Sequence, residues 1–160
     1  MRTNPIDDAP DLTIRLATAV DHDTWLRLWQ GYQRFYEVTI DDATTENSWS
    51  RILDPDAPMH CALATVGGGD GQQAVGLVHY LMHPTFWTRG AYCYLQDLFV
   101  APEIRARGIG RRLIAHVYDA ARGAGCSRVW WLTHETNLDA MKLYDQVADR
   151  SGFVQYRKLL

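Results

Sequence analysis

The sequence predicts an α/β (α+β) protein built on a mixed, mainly antiparallel sheet with helices on both faces. Three observations predict it. Apolar residues recur at period two in some stretches and at three- and four-residue spacing in others, so strands and amphipathic helices share one chain. Their order is strand, two helices, three strands, helix, strand, helix, strand. Two of the strands are joined by Gly67-Gly68-Gly69-Asp70-Gly71, whose glycines permit the positive φ of a tight antiparallel hairpin. A length of 160 residues fits one core, so residues 1–160 are expected to form a single domain.

After a polar opening with Pro5 and Pro10, Leu12 to Ala17 alternates apolar and polar residues as a half-buried strand does. Asp21 or Asp23 can cap the helix that follows, in which Trp25, Leu28, Trp29, Tyr32, Phe35 and Tyr36 form an aromatic stripe. Thr44 to Leu53 reads as a shorter helix stopped by Asp54-Pro55. Strands are expected over Met59–Val66 and Gln73–Met82, and the aromatic and β-branched run Tyr92–Val100 reads as a buried central strand ended by Pro102. Gly110 to Arg122 carries Leu113, Ile114, Val117, Tyr118 and Ala121 on one stripe, with Gly123 and Gly125 terminating the helix. Ser127–Thr133 is a further strand, Asn137 caps a helix running to about Ala148, and Phe153–Leu159 is expected to close the sheet.

The charge balance narrows the partners. The net charge of −3 gives no general basic surface, which argues against nucleic acid. Residues 1–60 carry 5 Lys/Arg against 11 Asp/Glu, whereas residues 61–160 carry 11 against 8, so a cation favours the first part and an anion the second. Cys61, Cys93 and Cys126 are an odd number without metal-ligand spacing, which fits a reducing compartment. With no signal-like apolar segment and no run long enough to span a membrane, a cytoplasmic protein is expected.

The segment richest in chemistry is Val100-Ala101-Pro102-Glu103-Ile104-Arg105-Ala106-Arg107-Gly108-Ile109-Gly110-Arg111-Arg112-Leu113, a strand that passes through a basic, glycine-bearing turn into a helix. Such a turn lets backbone N–H groups converge on a phosphate at the positive end of the helix dipole. It is neither a G-x-x-x-x-G-K-[ST] loop nor a G-x-G-x-x-G fingerprint, because position 113 is Leu.

Arg105-Ala106-Arg107-Gly108-Ile109-Gly110 resembles the R/Q-x-x-G-x-G/A coenzyme A pyrophosphate motif of the GNAT superfamily of N-acetyltransferases. Tyr94–Val100 sits where that family has its central strand, and Asn137 through Tyr144 resembles its asparagine-to-tyrosine segment. The resemblance implies an acetyltransferase domain that uses acetyl-CoA and no metal. Main-chain groups of Phe99 and Val100 would pair with the acetyl-pantetheine arm, and the amides of Arg105, Ala106, Arg107, Gly108, Ile109 and Gly110 would hold the pyrophosphate. An amine would attack the thioester directly, so the protein must position it, take a proton and return one to the leaving thiolate.

Tyr144 is the candidate acid, since a phenol can donate a proton without being ionised at neutral pH. Its place on a stripe with Leu138 and Met141 equally suits plain packing. Asn137 could bind the cofactor arm, cap a helix, or do both. The base stays open. Relatives often carry Glu-Asp on the central strand where this chain has Gln96-Asp97; Gln96 cannot accept a proton, and Asp97, as a strand neighbour, is expected to face the other side. Glu135, His134, Tyr94 or a water chain remain as alternatives.

Tyr32, Phe35, Tyr36, Glu37, Trp87 and Gln96 are the candidates for the acceptor pocket, weighed against ordinary packing. His79 and His83 are four apart but lie in or beside a strand with no third ligand nearby, so a metal is not expected. The function expected is acetyl transfer to a primary amine of a small molecule, a polyamine or an amino acid. The alternatives are a protein or peptide lysine acceptor, or a coenzyme A-binding module without turnover, which the missing carboxylate at Gln96 motivates. The apolar end of the chain could pair across subunits or pack within the fold, and the resemblance favours a homodimer.

Overall fold

The computed structural model of the chain describes residues 11–160. The opening with Pro5 and Pro10 lies outside the described residues. In chain order the elements are β1 (Thr13–Leu16), α1 (His22–Phe35), α2 (Asp42–Leu53), β2 (Met59–Val66), β3 (Gln73–Pro84), β4 (Ala91–Val100), α3 (Ile109–Gly123), β5 (Arg128–Trp130) and α4 (Leu138–Val147). The five strands form one sheet in the order β1-β2-β3-β4-β5, antiparallel up to β4 and parallel between β4 and β5. The predicted class is the observed one.

Alternation along the strands divides the apolar residues between two cores. On one face Val78, Tyr80, Cys93 and Leu95 pack against Ile109, Leu113, Ile114 and Val117 of α3, with Leu143, Tyr144 and Val147 of α4 beside them. On the other, Cys61, Leu63, Leu77 and Phe99 pack against Trp25, Leu28 and Trp29 of α1 and Trp49 of α2. The aromatic stripe of α1 is therefore core over its first half only; Phe35 and Tyr36, at its end, are partly open to solvent.

Helix starts follow local chemistry, though not always as expected. Asp41 rather than Thr44 opens α2, its carboxylate accepting from Thr44 N–H at 2.8 Å. Asp21 stands at the start of α1 but makes no cap bond with its side chain. Its carboxylate instead accepts from both guanidinium nitrogens of Arg15 at 2.7 Å and from Thr18. Those bonds from Arg15 hold Asp21 at a pKa of about 2, below its ordinary 3.8. A carboxylate depressed in the fold stabilises it fully above the unfolded value and loses that contribution as pH falls through the folded one. Asp21→Asn is therefore expected to lower stability by about 1 kcal/mol at pH 7, a screened value because Arg15 is partly exposed, and to differ little from the parent near pH 2. Urea titrations at the two pH values check this.

Between the pairs His79↔Asp97 and Tyr80↔Leu95 the β3–β4 register shifts, which leaves Gln96 as the extra residue of a bulge. At the other edge, the β4–β5 ladder has three pairs and stops at Tyr94↔Trp130, although β4 continues to Val100. The two strands part from there.

Two expectations need correction. The strand expected over Ser127–Thr133 is confined to Arg128–Trp130, because the chain leaves β4 at that point. The strand expected over Phe153–Leu159 does not form: β5 offers it no ladder, and Phe153, Val154, Tyr156 and Leu159 are all exposed. No helix among the described residues is long and apolar enough to cross a membrane.

Candidate active site

Two features of the sheet, the bulge and the parting of β4 from β5, lie close together on β4. A cavity of about 250 Å³ lies on the α1 and α2 side of the bulge, walled by Trp29 of α1, Thr44 and Ser48 of α2, His79 of β3, and both Gln96 and Asp97. Although Gln96 and Asp97 are strand neighbours, both border this one cavity. Alternation holds only along a regular strand, and the extra residue re-aims the side chains around it. Gln96 is exposed at the cavity and Asp97 is buried in its wall.

Asp97 is surrounded by hydrogen-bonding side chains. His79 Nδ1 lies 3.0 Å from its Oδ2. The Tyr32 hydroxyl faces it from α1, and burial together with the Asp97 charge raises the pKa of Tyr32. The same two causes raise Tyr36 and Tyr94. All three phenols keep their protons at neutral pH. The indole Nε1 of Trp29 is buried with no hydrogen-bond partner among the described residues.

Tyr36 ties this cavity to α4. Its hydroxyl interacts with the Asn137 side chain, and after burial it is Tyr36 that contributes to raising Tyr144 to about 12. Tyr144 is held edge-on against Trp131, with ring centroids 5.4 Å apart. Asn137 occupies the first position before α4 without capping it through its side chain; the amide instead donates to Thr133 Oγ1 at 3.2 Å. The cap expected there is therefore not made, since the side chain is turned towards Thr133 and Tyr36.

The basic turn has the backbone an anion requires. Ala106 and Gly108 are left-handed, at φ 63° and 75°, and Gly108 precedes α3 without a side-chain cap. The first amides of α3, at Ile109, Gly110 and Arg111, are thus left for an external acceptor, and Arg112 N–H is the first to bond within the helix, to Gly108. Arg107 and Arg112 pair with no carboxylate among the described residues. Arg105 turns back: its Nε donates to the Val100 carbonyl at 2.9 Å, and its guanidinium lies over Phe35 and Phe99. Arg111 donates to Gln146 of α4.

The structure thus brings Tyr32, Tyr36, Gln96 and Asn137 towards one region, with Tyr144 beside them. Phe35 instead packs under Arg105, and Glu37 is exposed just past the end of α1. Trp87 lies on the exposed β3–β4 connection, where Arg128 stacks 5.9 Å from its ring, and is no part of the cavity wall. The pair His79 and Asp97 was missed from sequence, although a histidine and an aspartate inside otherwise apolar strands are a signal that could have found it. Among the described residues no three metal-type ligands cluster.

Residues 25–148 match the model of the Acetyltransferase (GNAT) family. The chain is 32% identical to the D-amino-acid N-acetyltransferase HPA3 of Saccharomyces cerevisiae over 92% of its own length and 90% of that protein's. It is 31% identical to the thialysine N-epsilon-acetyltransferase of Mus musculus, over 62% of this chain and 63% of that one. Among solved structures, a probable acetyltransferase superimposes with a TM-score of 0.80 at 21% identity, covering 92% of this chain and 97% of the other. AAC(6')-Iy in complex with a CoA-linked bisubstrate analogue gives 0.77 at 21% identity, over 93% and 99%. These two share the fold. With the family model spanning both the cavity and the basic turn, and a relative aligned over nine-tenths of the chain, this protein belongs to the GNAT family of acetyltransferases and is an acyl-transferring enzyme.

Proposed function

We propose that residues 1–160 act as one N-acetyltransferase domain that moves an acetyl group from acetyl-CoA to the primary amine of a small molecule, an amino acid or a polyamine. The observation that carries this reading is that a buried carboxylate, Asp97, stands in the wall of a cavity on β4 close to where β4 and β5 part, with the uncapped, left-handed turn into α3 following the same strand. The relatives support an amine acceptor, since their names place D-amino acids and thialysine as substrates.

The uncapped start of α3 and its left-handed turn fit a pyrophosphate, so Arg105 through Gly110 would hold acetyl-CoA there, with Phe99 and Val100 of β4 and Asn137 along its arm. The bound donor supplies the activated acyl group. Asp97 receives the ammonium of the acceptor, takes one proton from it and passes that proton to solvent; the neutral amine then forms the new C–N bond as the C–S bond breaks, and the nitrogen gives up its second proton to Asp97. Tyr144 gives its phenolic proton to the departing sulfur and is reprotonated through solvent, one of the two protons shed by the nitrogen balancing it and the other being released. Tyr32, Tyr36 and Gln96 line the approach of the amine.

Gly108→Val tests the turn. A β-branched residue is strained at φ 75° and would shift the turn, so the acetyl-CoA dissociation constant is expected to rise at least about tenfold in calorimetry, with a fall of a few degrees in melting temperature from the strain itself. Thiol release from acetyl-CoA with a panel of D- and L-amino acids, polyamines, thialysine and lysine-rich peptides tests the reaction. Release dependent on a small amine is expected. Release with peptides alone would give a protein-lysine enzyme, and tight binding without release a coenzyme A-binding module.

A cytoplasmic homodimer completes the reading. The free thiols Cys61, Cys93 and Cys126 support a reducing compartment, and the exposed apolar side chains from Phe153 to Leu160 support a second subunit. Sedimentation at micromolar concentration should give a dimer; a monomer would overturn it.

A further inference from the structure

The steps above use Asp97 but give no role to the two residues behind it. His79 is enclosed between Trp25 and the carboxylate: Trp25 Nε1 lies 2.8 Å from its Nε2 on one side, and Asp97 Oδ2 lies 3.0 Å from its Nδ1 on the other. An indole N–H can donate and has no lone pair with which to accept. His79 Nε2 must therefore be the acceptor, which leaves the ring's proton on Nδ1, from where it is donated to Asp97. A second proton on Nε2 would set two N–H groups against each other at that 2.8 Å separation.

The forces on the ring are opposed, and geometry decides between them. Burial disfavours a charge on His79, whereas the Cys61 sulfur and the Asp97 carboxylate favour one, and the balance of charge and burial alone would put the ring at about 10. The Trp25 N–H occupies the position the second proton would need. Trp29 closes the ring in edge-on, with centroids 5.0 Å apart, and Trp25 lies tilted at 6.1 Å. The other titratable groups facing the pair are Cys61 of β2, Tyr32 and Tyr36 by way of α1, and Tyr94 of β4.

We propose that Trp25 and His79 are positioning residues for acetyl transfer: the indole fixes the imidazole as its neutral Nδ1–H tautomer, and the imidazole fixes Asp97 Oδ2, so that the other carboxylate oxygen is presented to the amine. This rests on the reading of Asp97 as the group that meets the acceptor. A neutral donor orients the carboxylate and leaves its charge for the ammonium, whereas an imidazolium in the same place would compete with the acceptor for it. Neither residue touches substrate, so both act through Asp97.

The test uses the full chain labelled with 15N-histidine, together with thiol-release kinetics using acetyl-CoA and thialysine or the most active amine of the panel. In the parent protein at pH 7, His79 should show one protonated nitrogen, Nδ1, and one bare nitrogen, Nε2. In Trp25→Phe the ring should take up a second proton, and kcat should fall about tenfold with an unchanged KM for acetyl-CoA. His79→Gln, whose amide can still donate to Asp97, should retain more activity than His79→Leu. A doubly protonated His79 in the parent overturns the proposal even if no variant folds. An inactive Asp97→Asn beside a Trp25→Phe enzyme of parental kcat overturns the positioning role alone. Full activity of Asp97→Asn with the expected nitrogen signature overturns the reading of Asp97, and the role of its two supports with it.

Discussion

Asp97→Asn is expected to lower kcat by about a thousandfold, the upper part of the range for removing a positioned proton acceptor. The substitution is close to isosteric, and its amide oxygen can still accept from His79 Nδ1, so the fold should be retained. What is lost is the charge that receives the ammonium and the site that takes its proton. Acetyl-CoA should bind as before, because the turn from Arg105 to Gly110 lies beyond the end of β4 and runs into the start of α3. Steady-state kinetics with calorimetric titration of acetyl-CoA separate the two effects. A parental kcat would return the search for the base to His134, Glu135 or Tyr94.

Tyr144→Phe is expected to cost about a hundredfold in kcat and almost nothing in acetyl-CoA affinity. The ring would keep its edge-on contact with Trp131, so a loss of turnover would belong to the hydroxyl. The pH profile supplies a second readout. Burial, and then Tyr36, raise the phenol to about 12, and a raised acid stays protonated to higher pH, so no loss of activity from Tyr144 ionisation should occur below about pH 11. A basic limb at pH 9 that vanished in the phenylalanine variant would show a phenol far more acidic than its surroundings imply. Equal turnover would remove Tyr144 from the reaction and leave it to the core formed with α3.

Much of the architecture was legible because burial writes a period into the sequence. Trp25, Leu28 and Trp29 on α1, and Leu113, Ile114 and Val117 on α3, declare their faces by spacing, and those faces are the ones buried. The basic turn was legible for a different reason: left-handed backbone favours glycine, and Gly108 supplies it. Three things were not. A bulge adds a residue without changing residue type, so the cavity that Gln96 and Asp97 both border could not be read from the strand's alternation. The Asn137 side chain could not be told from a cap, because Thr133 and Tyr36 compete for it only once the chain is folded. The segment Phe153–Leu159 has the composition of a strand, but a strand needs an edge to pair with, and no local pattern reports whether one is available.

The bulge on β4 also bears on how such an enzyme can change. Gln96 stands outside every cross-strand pair, so a new side chain there breaks no ladder contact and displaces nothing from either core. Most positions around a buried cleft couple chemistry to stability, and drift at them is filtered by folding before any new preference can be tried. Position 96 is uncoupled in this sense. Ancestral lineages could exchange a neutral amide for a charged or bulky group there, and so trade one amine for another, while the sheet that carries Asp97 stayed as it was.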